Sequence, residues 1–126
     1  MPTQPHKILA VVDDLMFTVK INDAAKRNGF EALFLKSEKD VLEKIKEAAS
    51  PLIIIDLNSN SVNPLKLISK IKGSAEHKRI NVIGYLSHVQ GELKQQAQEA
   101  GADMVMARSA FSQNLLQILK RYSGKP

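Results

Sequence analysis

Two short apolar runs, each ended by acidic residues, constrain the fold of this chain most. Ile8–Val12 contains no polar residue and is followed directly by Asp13 and Asp14. Leu52–Ile55 is equally unbroken and is followed directly by Asp56. A strand with one solvated face alternates apolar and polar residues, whereas a continuous apolar run is typical of a strand buried on both faces. The two runs therefore predict inner strands of a parallel sheet.

The rest of the chain alternates weaker strand signals with helical ones. Further short apolar runs predict strands over Ala32–Leu35, Val82–Leu86 and Met104–Ala107. Between the strands, apolar residues recur at helical spacing beside capping residues. These signals predict five helices: Leu15–Asn28 stopped by Gly29, a helix capped by Ser37, one capped by Asn63 with Pro64 as its first residue, Glu92–Ala100 closed by Gly101, and a last helix capped by Ser112.

Strands that alternate with helices five times over predict an α/β fold. We expect a three-layer, doubly wound, five-stranded parallel sheet of flavodoxin-like order 2-1-3-4-5, with helices on both faces. The length of 126 residues and the hydrophobic fraction of 44% suit one domain over residues 1–126, with a core from about residue 6 to 122. The absence of cysteine excludes disulfides, thiolate metal sites and a cysteine nucleophile. No run approaches the roughly 18 apolar residues of a membrane span, so we expect a cytoplasmic protein.

The acids that end the two apolar runs predict a metal site. In the 2-1-3-4-5 order the first and third strands are neighbours, so Asp13, Asp14 and Asp56 converge at one edge of the sheet. Carboxylates this close repel one another unless a cation neutralises them. Carboxylate and carbonyl oxygens are hard ligands, which favours Mg²⁺.

With these acids in place, the chain resembles the response-regulator receiver domain of two-component signalling over almost its whole length. The resemblance is carried by four segments in the right order: Val11-Val12-Asp13-Asp14, Ile53-Ile54-Ile55-Asp56-Leu57, Leu86-Ser87 and Ala100-Gly101-Ala102-Asp103.

The resemblance implies a signalling role rather than an enzymatic one. Asp56 would accept a phosphoryl group from a sensor histidine kinase or phosphotransfer protein, and Ser87 would donate a hydrogen bond to that group. Mg²⁺ would be held by Asp13, Asp14, Asp56 and a backbone carbonyl at Asn58, and Arg108 would be the cation at the end of the fifth strand. The phosphorylated domain would switch its contact with a downstream effector protein, and a homodimer is a further expectation.

The chain departs from the family pattern at the residues that read out phosphorylation. Arg108-Ser109 replaces the usual Lys-Pro pair, and without the proline we expect a trans peptide before Ser109 and a reshaped loop. Val105 replaces the switch aromatic, and an Asn/Ser-rich segment over residues 58–63 replaces the usual loop. His88 stands where a small residue usually leaves room for the phosphoryl group.

These departures keep other functions open. The main alternative is a pseudo-receiver, a phosphorylation-independent protein-interaction module in which Arg108 holds Asp56 permanently in a salt bridge. A flavin or nucleotide site ranks lower, because the acidic loop after the first strand would repel phosphate. The net charge of +5 suggests an acidic partner surface, while the lack of aromatic residues among the lysines disfavours nucleic acid.

Overall fold

The chain forms alternating strands and helices. The computed structural model describes residues 6–47, 52–87 and 91–122. Its elements are β1 His6–Val11, α1 Leu15–Arg27, β2 Phe30–Phe34, α2 Glu38–Glu47, β3 Leu52–Asp56, α3 Pro64–Lys72, β4 Asn81–Leu86, α4 Gly91–Ala100, β5 Met104–Ala107 and α5 Arg108–Arg121. None of the helices in these ranges is both long and apolar enough to cross a lipid bilayer.

The five strands form one parallel sheet of order β2-β1-β3-β4-β5, which confirms the predicted α/β fold. The register aligns Val11 of β1 with Ile55 of β3. It also aligns Asp56 of β3 with Tyr85 of β4. The carboxyl ends of β1, β3 and β4 therefore meet at one edge of the sheet, where Asp13, Asp14 and Asp56 were expected to converge.

Both faces of the inner strands are buried, as their unbroken apolar sequences predict. Along β1, Ile8 and Ala10 pack with α1 and α5, whereas Leu9 and Val11 pack with α2, α3 and α4. All four residues are inaccessible to solvent. The same division along β3 makes the molecule three-layered, with two helices on one face and three on the other.

Most helix ends lie where the capping signals predict them. The Asn63 side chain accepts a hydrogen bond from the backbone N–H of Lys66, and Pro64 is the first residue of α3. Ser37 Oγ accepts from the backbone N–H of Asp40 at the start of α2. Gly29, with a φ of 77°, follows the end of α1, because the left-handed conformation there suits glycine.

The predicted start of the last helix is wrong. Ser112 does not cap α5, which begins at Arg108 directly after β5 and has Ala107 as its N-cap residue. Ser112 lies one turn inside the helix, where its Oγ accepts a hydrogen bond from Lys20 Nζ at 2.8 Å. The peptide before Ser109 is trans, as expected, and a direct strand-to-helix junction stands in place of the expected loop. The early start puts Arg108 on the first turn of a helix rather than in a loop.

The turn between α4 and β5 is held by a partly exposed network. Gly101 has a φ of 120°, and the side chain of Lys72 covers it. Lys72 Nζ lies 2.6 Å from Asp103 Oδ2 and donates to the carbonyl of Ile80 at 2.7 Å. Asp103 Oδ2 also accepts the N–H of Val82 at 2.8 Å. The Ala-Gly-Ala-Asp turn therefore fixes α3 to the start of β4, a structural role remote from the acidic edge.

Candidate functional site

Asp56 lies at the centre of the acidic edge. It is the last residue of β3 and is half-buried, and its Oδ1 accepts the backbone N–H of Asn58 at 2.9 Å. Burial raises the pKa of Asp56, the bond from Asn58 lowers it, and the negative charge of Asp13 raises it further. The net result is a pKa above the ordinary value. Asp13 and Asp56 are therefore brought within electrostatic reach of each other, as the strand order predicts.

Asp13 is surrounded by donors from the loop after β3. Ser61 Oγ donates to its Oδ1 at 2.8 Å, the backbone N–H of Asn60 to its Oδ2 at 2.9 Å, and Ser59 Oγ lies 3.2 Å from Oδ2. Burial raises the pKa of Asp13, but these hydrogen bonds and the nearby charge of Lys36 outweigh it, so the pKa lies below its usual value.

The sequence identified Asn58 and the Asn/Ser-rich segment over residues 58–63, but not that Ser59, Asn60 and Ser61 donate to Asp13. The signal for these bonds was present in the run of asparagine and serine residues over 58–63, since hydroxyl and amide groups beside an acidic edge are potential donors. Ser59 is also buried, which is unusual for a polar loop residue and agrees with its bond to Asp13.

Asp14 has two partners, one for each carboxylate oxygen. Its Oδ1 accepts the backbone N–H of Met16 at 2.8 Å and so caps α1. Its Oδ2 forms an ion pair with Nη2 of Arg108. The guanidinium of Arg108 also lies over the ring of Phe17, 4.6 Å from the ring centroid. The pseudo-receiver alternative predicted a salt bridge between Arg108 and Asp56. This prediction is wrong: Arg108 pairs with Asp14, because the start of α5 brings the guanidinium to the end of β1.

Asn58 connects Asp56 to Ser87. Asn58 Oδ1 accepts the backbone N–H of Ser87 at 2.8 Å and lies 3.2 Å from the Ser87 hydroxyl. The resemblance assigned Asn58 a backbone role toward a metal, whereas in the structure its side chain ties the loop after β3 to the end of β4. Ser87 thus lies at the same edge of the sheet as Asp56.

A pocket of about 450 Å³ opens beside this edge, lined by Phe17, Ser87, Arg108, Ser109 and Ser112. Val105 is buried on the other face of the sheet, in the core formed with α2, α3 and α4. His88, the histidine singled out in the sequence, lies outside the described residues.

The donor set fits a divalent cation only in part. Asp13 and Asp56 supply hard oxygen ligands; burial chiefly raises the pKa of Asp56, and the charge of Asp13 adds to it. Asp14, however, is engaged by Arg108. Within residues 6–47, 52–87 and 91–122, no three acidic or histidine side chains form a group that could hold a metal ion. The full set of Asp13, Asp14, Asp56 and Asn58 therefore stays a prediction.

Solved structures share this fold along nearly the whole chain. A putative response regulator from Chloroflexus aurantiacus is 20% identical, with a TM-score of 0.82, and the match covers 96% of this chain and 99% of that one. An orphan response regulator of H. pylori is also 20% identical, with a TM-score of 0.77 over 97% and 99% of the two chains. The Mn²⁺-bound form of response regulator Rcp1 is 19% identical, with a TM-score of 0.73 over 93% and 91%.

At these identities the likeness establishes the fold: the chain has the fold of response-regulator receiver domains. The resemblance read from the sequence is therefore confirmed at the level of the fold. No family model matches the chain, and no curated protein matches it by sequence.

Proposed function

We propose that this chain is a receiver-type signalling module that accepts a phosphoryl group on Asp56. The donor is a phosphohistidine of a sensor kinase or phosphotransfer protein, and the phosphorylated state changes contact with an effector protein in the cytoplasm. The supporting observation is the position of Asp56, half-buried at the carboxyl end of β3, with Oδ1 held by Asn58 and the charge of Asp13 nearby. The role is signal transfer rather than turnover of a substrate.

The arrangement of Asp56 suits nucleophilic attack on phosphorus. A carboxylate oxygen of Asp56 attacks the phosphorus atom and forms an acyl phosphate, while the bond between phosphorus and the histidine nitrogen breaks and the imidazole leaves. The bond from Asn58 to Oδ1 fixes the carboxylate during the attack. A bound Mg²⁺, held by Asp13 and Asp56, would shield the charge between carboxylate and phosphoryl oxygens.

Ser87 is the residue that would sense the new phosphoryl group. Its hydroxyl lies 3.2 Å from Asn58 Oδ1, so donation to a phosphoryl oxygen requires it to exchange a neutral amide acceptor for a charged one. Hydrogen bonds to charged acceptors are roughly twice as strong as neutral ones, so the exchange is favourable. The connection between the ends of β3 and β4 would then keep only the bond from the backbone N–H of Ser87 to Asn58 Oδ1, and this weakening provides a conformational signal.

The test is incubation with Mg²⁺ and a small phosphodonor, followed by intact-mass analysis. We expect one base-labile phosphoryl adduct on the native protein. The adduct should be absent from Asp56→Asn and present on Asp23→Asn, which removes an exposed carboxylate on α1. Absence of the adduct from the native protein, or its survival in Asp56→Asn, would overturn the proposal.

A second function is favoured by the pairing of Arg108 with Asp14. If Arg108 stays paired with Asp14 and the loop donors stay bonded to Asp13 in every state, the chain acts as a phosphorylation-independent interaction module. Titration with Mg²⁺ would then leave the melting temperature unchanged. A Mg²⁺-dependent rise that is abolished in Asp13→Asn would exclude this second function.

A further inference from the structure

We propose that the pocket between α1, α5 and the end of β4 binds a small phosphate ester from solution. Its volume of about 450 Å³ lies within the range of small-ligand sites. It is lined by Phe17, Ser87, Arg108, Ser109 and Ser112. The resemblance to receiver domains assigns no role to the hydroxyls of the two serines on α5. The ligand is a separate molecule from the phosphoryl group on Asp56, so the proposal goes beyond the proposed function and does not depend on it.

Two cations lie against the ring of Phe17 at this pocket. The guanidinium of Arg108 is 4.6 Å from the ring centroid, and Nζ of Lys20 is 5.9 Å from it. Arg108 is paired with Asp14. Lys20 forms no ion pair with a carboxylate in the part of the chain that the structure describes. Because one of the two cations has no carboxylate partner there, its charge attracts an anionic ligand.

The side chain of Lys20 reaches from α1 to α5 and leaves a serine proton for another acceptor. Nζ of Lys20 donates to Ser112 Oγ at 2.8 Å. A hydroxyl that accepts one hydrogen bond still has its own proton to donate. Among residues 6–47, 52–87 and 91–122, no group accepts that proton, and none bonds to the hydroxyl of Ser109. Lys20, Ser109 and Ser112 therefore place three hydrogen-bond donors at the pocket without a protein acceptor in those ranges.

A pocket lined by donors selects a ligand that is rich in acceptors. At neutral pH a phosphate ester carries a charge of about −1.5 to −2 and three acceptor oxygens, whereas a carboxylate carries a single charge and two oxygens. The three donors match the three phosphate oxygens in number, and bonds to charged acceptors are roughly twice as strong as neutral ones. The carboxylate of Asp56 repels a dianion at Ser87, so we place the ligand at the α5 side of the pocket.

The experiment follows the amide NMR signals of the native protein during titration with inorganic phosphate and, separately, with glycerol phosphate. The ionic strength is held constant with sodium chloride, so the screening of surface charges is the same at every point. No divalent cation is added. We expect saturable shifts of the Ser109 and Ser112 signals, with a Kd of about 1–10 mM for either ligand. The absence of a saturable shift, or saturable shifts that are confined to other parts of the chain, would overturn the proposal.

Substitutions at the donors test where the ligand binds. Lys20→Gln should weaken phosphate binding about tenfold, because it removes a hydrogen bond between two charged groups. Ser112→Ala should weaken it about threefold, since it removes a neutral donor. Lys26→Gln is the matched control, because Lys26 is also exposed on α1 and lies about 9 Å further along the helix. This control should leave the affinity unchanged, and equal weakening by Lys20→Gln and Lys26→Gln would overturn the proposal.

Two further titrations separate this pocket from the acceptor residue and from general anion binding. Asp56→Asn should bind phosphate at least as tightly as the native protein, because it removes a repelling carboxylate. Loss of phosphate binding in Asp56→Asn would place the anion at Asp56 and overturn the proposal. Acetate, with one charge and two oxygens, should bind more weakly than phosphate. Equal affinity for acetate and for the two phosphate ligands would overturn the assignment of the pocket to phosphate esters.

Discussion

The hydroxyl of Tyr85 is the clearest point at which a small change should stabilise the protein. Tyr85 is 1% exposed, and among the described residues no group forms a hydrogen bond with its buried Oη. Its ring stacks on Phe111 with centroids 5.0 Å apart and an interplanar angle of 10°. Burial, and then the charges of Asp56 and Asp13, raise the pKa of Tyr85, so the hydroxyl stays neutral. Tyr85→Phe removes only the polar atom and keeps the ring contacts.

The expected gain follows from the cost of the unsatisfied hydroxyl. An unpaired buried polar group destabilises the folded state by about 1–3 kcal/mol. The small void left when one oxygen atom is removed offsets only a few tenths of a kcal/mol of that gain. We therefore expect Tyr85→Phe to raise the free energy of unfolding by about 1–2 kcal/mol. An unfolding entropy of about 2.1 cal/mol/K per residue over 126 residues makes each kcal/mol worth about 4 °C. The melting temperature should rise by about 4–8 °C.

The assay is thermal and urea unfolding at neutral pH, with Tyr122→Phe as the matched control. Tyr122 is only half-buried at the end of α5, so the same change there should alter stability by less than about 0.5 kcal/mol. A melting temperature for Tyr85→Phe that is unchanged or lower would refute the reasoning, because it would mean that the hydroxyl has a partner in solution.

The remaining predictions concern the acidic edge and the turn before β5. The pKa of Asp56 in the folded protein lies above its ordinary value of 3.8, so ionisation of Asp56 disfavours folding. Asp56→Asn should therefore be more stable than the native protein at neutral pH. This gain in the urea midpoint should shrink as the pH falls through the folded pKa of Asp56. A gain that is independent of pH would contradict this. Asp13→Asn should lower the pKa of Asp56 in an NMR titration, and no change would show that the two charges do not interact. Gly101→Ala should lower the free energy of unfolding in urea by about 1–3 kcal/mol, because φ at this position is 120° and a Cβ would lie 2.7 Å from Lys72 Cγ. A Cβ at Gly91 would meet no atom within 4 Å, so the control Gly91→Ala should leave the free energy of unfolding unchanged.

Local sequence patterns account for most of the fold. The apolar run Leu52–Ile55 predicts an inner strand because burial on both faces excludes polar residues, and β3 occupies that run. Asn63 and Pro64 predict the start of α3 because capping depends on the few residues at a helix end. The prediction failed at Ser112, where a capping residue type lies inside a helix that begins earlier without a side-chain cap. Nothing in the local sequence distinguishes a serine at a helix start from one bound to a neighbouring helix.

The sequence by itself determined which segments become strands and helices, and that Asp13, Asp14 and Asp56 meet at one sheet edge. These features follow from residue periodicity and from the parallel topology that it predicts. The tertiary structure alone decided which groups bind the acids. Arg108 pairs with Asp14, and Ser59, which is 46 residues from Asp13 in the sequence, donates to Asp13. Such pairings depend on where each helix starts and on which rotamer reaches which oxygen. Several cations and donors of similar chemistry lie within reach of the same edge, so only their positions in the folded chain select among them.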